Sequence, residues 1–116
     1  MSETTAKEIV DEATFEFTIG NHTEALELLK RAISLDNDCF DAWLAKTEVH
    51  FDLRDLDEAL SAGETALKLK PEDVHIQTSL SRIWMERGDK DKAEHYGAQA
   101  RLKGWKVELQ SDSEES

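Results

Sequence analysis

Apolar residues along this chain recur in steps of three and four. Ala25, Leu28, Leu29, Ala32 and Ile33 form one series, and Ala59, Leu60, Ala66, Leu67 and Leu69 form another. Spacing near 3.6 residues places each series on one face of an amphipathic α-helix. The pattern then repeats. TEALELLKRAISLDND from Thr23, DEALSAGETALKLKPED from Asp57 and DKAEHYGAQARLKG from Asp91 align, with Ala25, Ala59 and Ala93 falling 34 residues apart. Ala32, Ala66 and Ala100 keep the same interval, as do Gly20, Arg54 and Gly88. The period divides the chain into a lead-in (1–5), three helix-turn-helix units (6–39, 40–73 and 74–107) and an acidic tail (108–116).

Gly20-Asn21, Arg54-Asp55 and Gly88-Asp89 separate the paired helices. Two of these junctions carry a glycine tolerant of positive φ, which predicts tight antiparallel turns. Pro71 follows the helical run LKLK and forbids its continuation, so a new hairpin starts just beyond it. The recurring alanines fit positions where two helices approach closely and a larger side chain would part them.

Trp43, the six alanines, Gly20, Gly88 and Pro71 at this period resemble the tetratricopeptide repeat (TPR). The resemblance covers nearly the whole chain. It implies an all-α fold of three hairpins stacked as a short right-handed α-solenoid, and a role in binding other proteins. Several positions depart from the pattern. Glu12 and Lys46 stand where leucine is usual, Gln77 stands where Trp43 does, and Asn37 replaces the proline. Gly63 and Gly97 occupy helix interiors where an aromatic is usual, at about 1 kcal/mol each in helix propensity. Nearby Trp84 is expected to fill the space they leave.

Charge narrows the partners. The chain has 14 basic and 26 acidic residues, a net charge of −12, which disfavours phosphate backbones and anionic lipid and so argues for no nucleic acid and no membrane as partner. The imbalance is uneven: residues 6–39 carry 3 basic against 8 acidic residues, 40–73 carry 4 against 9, and 74–107 carry 7 against 4. A charged fraction of 34% with 39% apolar residues suits a thin helical array. The N-terminus lacks the basic start and apolar run of a secretory signal, so the expected location is cytoplasmic.

Catalytic chemistry finds no support. His22, His50, His75 and His95 are scattered without an i, i+4 pair, and Asp36, Asp38 and Asp41 lack the glycine and closing glutamate of a calcium loop. Cys39 has no second cysteine for a disulfide or zinc site and is expected to sit half-buried in an interhelical turn. No phosphate-binding or nucleophile-elbow motif occurs. The expectation is a non-enzyme without cofactor or metal.

The resemblance implies that the first helix of each hairpin lines a concave surface. Helical spacing places Val10, Asp11, Thr14, Phe17 and Thr18 on one face of the first such helix. The equivalents in the second are Asp41, Leu44, Ala45, Glu48, Phe51 and Asp52, and in the third His75, Thr78, Ser79, Arg82, Met85 and Glu86. An apolar strip flanked by carboxylates in the first two repeats suits a protein or peptide with apolar anchors and some basic character. The best-known ligand mode of the family is a carboxylate clamp of Lys, Asn and Arg. The corresponding positions here are Val10, Thr14, Ala45, His75 and Ser79, and none supplies a fixed positive charge at neutral pH. Beyond Gly104, WKVELQ alternates in a strand-like way and SDSEES is expected to be disordered. Trp105 is then expected either to fold back as a makeshift cap or to dock on a partner or second copy, which leaves a homo-oligomer open.

Overall fold

A computed structural model describes residues 4–115, with side chains described for residues 4–106. It contains six helices: α1 (Ala6–Thr18), α2 (His22–Leu35), α3 (Phe40–Asp52), α4 (Leu56–Leu69), α5 (Val74–Glu86) and α6 (Lys90–Glu115). The described residues contain no strand. The starts of α1, α3 and α5 are 34 residues apart, and so are those of α2, α4 and α6. Local chemistry marks several starts. Thr5 Oγ1 accepts from the Glu8 amide at 3.1 Å, Asp73 Oδ1 from the Ile76 amide at 3.0 Å, and Asp89 Oδ1 from the Lys92 amide at 3.0 Å.

All three turns within hairpins use one left-handed residue. Gly20 has φ +91° and Gly88 φ +85°, and Arg54 adopts φ +64° where the sequence offered no glycine. A side chain in that region costs about 1–2 kcal/mol. Asn21, Asp55 and Asp89 then donate their amides to the carbonyls of Glu16, His50 and Trp84, closing three equivalent turns.

The paired helices pack as α1–α2, α3–α4 and α5–α6, and consecutive hairpins meet through α2–α3 and α4–α5. In addition α1 touches α3 and α3 touches α5, whereas among the described residues α2 does not reach α4. First helices therefore lie closer together than second helices, and the array curves with α1, α3 and α5 inside. One core cluster joins Ile9, Val10, Leu28 and Leu29 to Ala42 and Val49 of the second hairpin. Another joins Phe40, Ala59 and Leu60 to Ile76, Leu80 and Ile83 of the third. Each cluster spans a junction, so no hairpin has a core independent of its neighbour.

The departures from the repeat pattern have local explanations. Trp43 Nε1 donates to the Asn37 carbonyl at 2.7 Å, and Gln77 Nε2 donates to the Pro71 carbonyl at the same distance. Gln77 thus keeps the hydrogen bond that Trp43 makes one repeat earlier. At Gly63, a Cβ would lie 2.8 Å from Leu80 Cδ2 and 3.4 Å from Thr47 Cγ2, and at Gly97 it would lie 3.2 Å from Ser81 Oγ. Leu80 and Thr47, not Trp84, fill the space at Gly63. Trp84 lies instead beneath Lys92, whose Nζ is 4.2 Å from the ring centroid. Cys39 is half-buried at the start of α3.

The last helix also differs from expectation. α6 continues past Gly104 to Glu115, so the backbone of most of the tail expected to be disordered is helical. Its side chains from 107 onward, and residue 116, lie outside the described residues. Propagating an existing helix requires no new nucleus, and one interior glycine costs about 1 kcal/mol. Just before this stretch, Lys103 pairs with Glu72 in the α4–α5 turn. The hydrogen bond from Lys103 holds the Glu72 carboxyl below its ordinary pKa.

Candidate functional site

The inner surface is built from the upper faces of α1, α3 and α5. Between α1 and α3 it forms an open cleft of about 340 Å³ lined by Val10, Asp11, Thr14, Phe17, Asp41, Leu44, Ala45 and Glu48. Its floor is apolar: Val10 is buried, and Phe17, Leu44 and Ala45 are half-buried. Asp11 and Asp41 stand exposed beside it, with Glu48 half-buried. The Thr14 hydroxyl donates to its own helix, to the Val10 carbonyl at 2.9 Å, so this residue offers its methyl rather than a free donor.

The remaining sequence-predicted residues separate into distinct arrangements. Phe51 is held beneath two guanidiniums, with Arg82 Cζ 4.9 Å and Arg54 Cζ 5.4 Å from its centroid. Arg54 also pairs with Glu86 at 3.4 Å. Asp52 turns to the neighbouring hairpin, where His22 Nε2 lies 2.6 Å from its Oδ2. That hydrogen bond, with a second to the Gly20 carbonyl, raises the His22 pKa above 6.5. Ser79 donates to Glu48 and anchors that carboxylate across the α3–α5 contact. His75, Thr78 and Met85 are exposed on α5.

The groove is therefore polarised. Carboxylates of Asp11, Asp41 and Glu48 flank its first half, and the guanidiniums of Arg54 and Arg82 cover Phe51 in its second. Sequence reasoning missed Arg54, which sits at a turn position glycine occupies in the other repeats. The 34-residue alignment marks that position but not where an arginine side chain there would reach.

Two further surfaces compete with the groove. A larger hollow of about 580 Å³ lies between the start of α1 and the α2–α3 turn, lined by residues including Thr5, Lys7, Leu35, Asp36, Cys39, Phe40 and Lys70. Its rim mixes both signs, and Lys70 Nζ already covers the Phe40 ring at 4.8 Å. At the other end, Trp105 lies on α6 with 61% of its surface exposed, so it does not fold back as a cap. Among the described residues, no three His, Cys, Asp or Glu side chains converge to hold a metal ion. Nor is any described helix long and apolar enough to cross a membrane.

Comparison with known proteins agrees with this architecture. The tetratricopeptide-repeat profile matches residues 10–74 and, overlapping it, 48–104. A crystal structure of MamA is similar with a TM-score of 0.86 and 25% identity over 91% of this chain, which spans 62% of that structure's length. The second TPR of Spaghetti (RPAP3), bound to the HSP90 peptide SRMEEVD, is similar with a TM-score of 0.81 and 16% identity over 85% of this chain and 92% of that one. The Yersinia enterocolitica type III secretion translocator chaperone SycD gives a TM-score of 0.84 and 16% identity over 98% of this chain and 87% of that one. A search of curated sequences returned no match.

Proposed function

This chain belongs to the tetratricopeptide-repeat family, and we propose that it is a non-catalytic interaction module whose concave groove binds an extended or helical segment of another protein. The observation that carries this reading is the cleft between α1 and α3, where an apolar floor is bordered by three carboxylates and no cation. An apolar anchor seated between Val10 and Leu44 would leave the water, with a lysine or arginine beside it facing Asp11, Asp41 or Glu48. Burial of one such side chain contributes about 1.5–3 kcal/mol, and the flanking charges set orientation and selectivity more than affinity.

The second half of the groove favours a neutral or acidic residue beside Arg54 and Arg82, so the bound segment has a preferred direction. The peptide in the RPAP3 structure carries glutamates and a terminal aspartate; here the first half of the groove would repel such a sequence. The clamp positions Val10, Thr14, Ala45, His75 and Ser79 offer no fixed cation, and a carboxylate-clamp mode is not part of this reading.

Selection from a random peptide display library, followed by calorimetry on the winners, tests the proposal. Selected peptides should share an apolar residue within two positions of a lysine or arginine. Leu44→Glu should weaken them more than tenfold, or about 1.4 kcal/mol, because the anchor would meet a carboxylate in the floor. Glu48→Lys should shift the selected consensus away from basic residues. Peptides that bind wild type and Leu44→Glu equally would remove the groove from consideration.

A further inference from the structure

We propose that copies of this chain stack head to tail, α1 of one copy docking on α6 of the next in the register by which consecutive repeats dock within the chain. The two internal junctions supply the template. Gly63 faces Leu80, and Leu56, Leu60 and Leu67 share its ridge on α4, packing in one cluster with Ile76, Leu80 and Ile83 of α5. One repeat earlier, Leu26, Leu29 and Ile33 of α2 pack in one cluster with Ala42 and Val49 of α3. Arg87 pairs with Asp57, which places the end of α5 at the start of α4 and makes the docking antiparallel.

Advancing the α4 ridge by 34 residues gives Lys90, Glu94, Gly97 and Arg101 on α6, with Trp105 one turn further. Moving the α5 face back through two repeats gives Glu8, Glu12 and Phe15 on α1. Phe15 is 60% exposed, and Ile19, one turn on, is 56% exposed. The counterparts of Phe15 in the other repeats, Val49 and Ile83, are 1% and 0% exposed because a preceding hairpin covers them. α1 thus presents Phe15 on a face that its equivalents bury, with Ile19 beside it at a position whose counterparts, Leu53 and Arg87, are themselves exposed.

Charge selects a second copy as the cover. The α1 face carries Glu8 and Glu12, two of the 8 acidic residues in a repeat with 3 basic ones, and the α6 ridge belongs to a repeat with 7 basic and 4 acidic. In the template register Glu12 takes the place of Leu80, opposite Gly97. A Cβ at Gly97 would lie 3.6 Å from Arg101 Nη1, so the Arg101 guanidinium occupies the spot where the Glu12 carboxylate arrives. Arg101 is now paired with Glu94 at 2.6 Å and would bridge both acids. Symmetric pairing of two α1 faces would instead oppose Glu8 and Glu12 to their own copies. A head-to-tail contact is heterologous, and where successive copies keep the rise of the solenoid it leaves an open array, so assembly grows with concentration. It leaves the concave groove open and stands or falls separately from the peptide-binding reading.

Sedimentation velocity across a wide concentration range tests the stack, with circular dichroism confirming that each variant is folded. The wild-type sedimentation coefficient should rise continuously past that of a dimer and fall back in high salt. Glu12→Arg and Arg101→Glu should each remain monomeric where wild type assembles. An equimolar mixture of the two should assemble again, because the exchanged charges then meet across the junction with opposite signs. Phe15→Asp should remain monomeric alone. A wild type that stays monomeric throughout, a closed dimer indifferent to salt, or a mixture that stays monomeric would overturn the proposal.

Discussion

Gly63 and Gly97 occupy the same position in consecutive repeats, yet replacing them with alanine should change stability in opposite directions. Both substitutions gain about 1 kcal/mol of helix propensity. At Gly63 the new methyl would lie 2.8 Å from Cδ2 of Leu80, a side chain with no exposed surface and therefore little room to turn aside. Overpacking of this kind costs about 1–3 kcal/mol, so Gly63→Ala should be destabilising by up to about 2 kcal/mol. At Gly97 the methyl would meet Ser81 Oγ at 3.2 Å, a smaller group beside a partly open helix, and Gly97→Ala should stabilise by somewhat under 1 kcal/mol. Urea denaturation of both variants measures these values. The cause is isolated by repeating Gly63→Ala in a Leu80→Ala background, which itself costs about 2–5 kcal/mol. With the clash removed, the added methyl should now stabilise by about 1 kcal/mol, giving a coupling of about 1–3 kcal/mol across the α4–α5 junction. If Gly63→Ala stabilised wild type and the Leu80→Ala variant equally, the close approach would not be what excludes a side chain there.

Two other consequences follow from the turns. The hydrogen bond to Asp52 and the one to the Gly20 carbonyl raise the His22 pKa, so protonated His22 favours the folded state. The stabilisation is fully present below the unfolded value near 6.5 and is lost as pH rises through the higher folded value. NMR titration should find His22 above 6.5 in wild type and lowered in Asp52→Asn, and the stability advantage of wild type over that variant should shrink between pH 6 and pH 8. An unchanged His22 titration in Asp52→Asn would contradict the pairing. Gly20→Ala and Gly88→Ala should each cost about 1–2 kcal/mol although no atom lies within 4 Å of either added Cβ, because φ is positive at both. Arg54→Gly relieves the same strain but loses the exposed pair with Glu86, about 0.2–1 kcal/mol, and the guanidinium over Phe51, about 0.5–1 kcal/mol, so denaturation should place it within about 1 kcal/mol of wild type.

The period was legible in the sequence because it is a one-dimensional signal. Ala25, Ala59 and Ala93 are all buried, each facing a constraint set by its own hairpin, so the residue recurs with the constraint. The lining of the α1–α3 cleft was legible from the family resemblance, which turns the first helices inward, together with helical spacing, which brings Val10, Asp11, Thr14 and Phe17 to one face and Asp41, Leu44, Ala45 and Glu48 to another. What escaped were contacts whose partner lies in a different repeat. Asp52 shares the groove face by spacing, yet His22, 30 residues away, draws it to the edge. Arg54 is a turn residue by position, yet its guanidinium reaches Glu86 in the next repeat. Gly104 and the alternation after it pointed to the end of a helix, but α6 continues through them, and Lys103 is tied to Glu72 in another turn.

Departures from the repeat pattern make sense in pairs across junctions rather than one repeat at a time. The position held by Glu12, Lys46 and Leu80 faces the preceding hairpin, and the position held by Leu29, Gly63 and Gly97 faces the following one. At the second junction the large Leu80 meets the small Gly63. At the first, a large Leu29 stands opposite a residue that needs no core volume, and Lys46 lies along its own helix with Nζ 5.3 Å from the Trp43 ring. A leucine at 46 would compete with Leu29 for the same space, just as a leucine at 63 would compete with Leu80. The usual leucine is therefore absent at 46 because its volume is supplied from the other side. Among the described residues, no further hairpin covers Glu12 on α1 or the outer side of Gly97 on α6. One is an exposed carboxylate and the other a small gap beneath Arg101, and the rule that governs both internal junctions makes them complementary to each other.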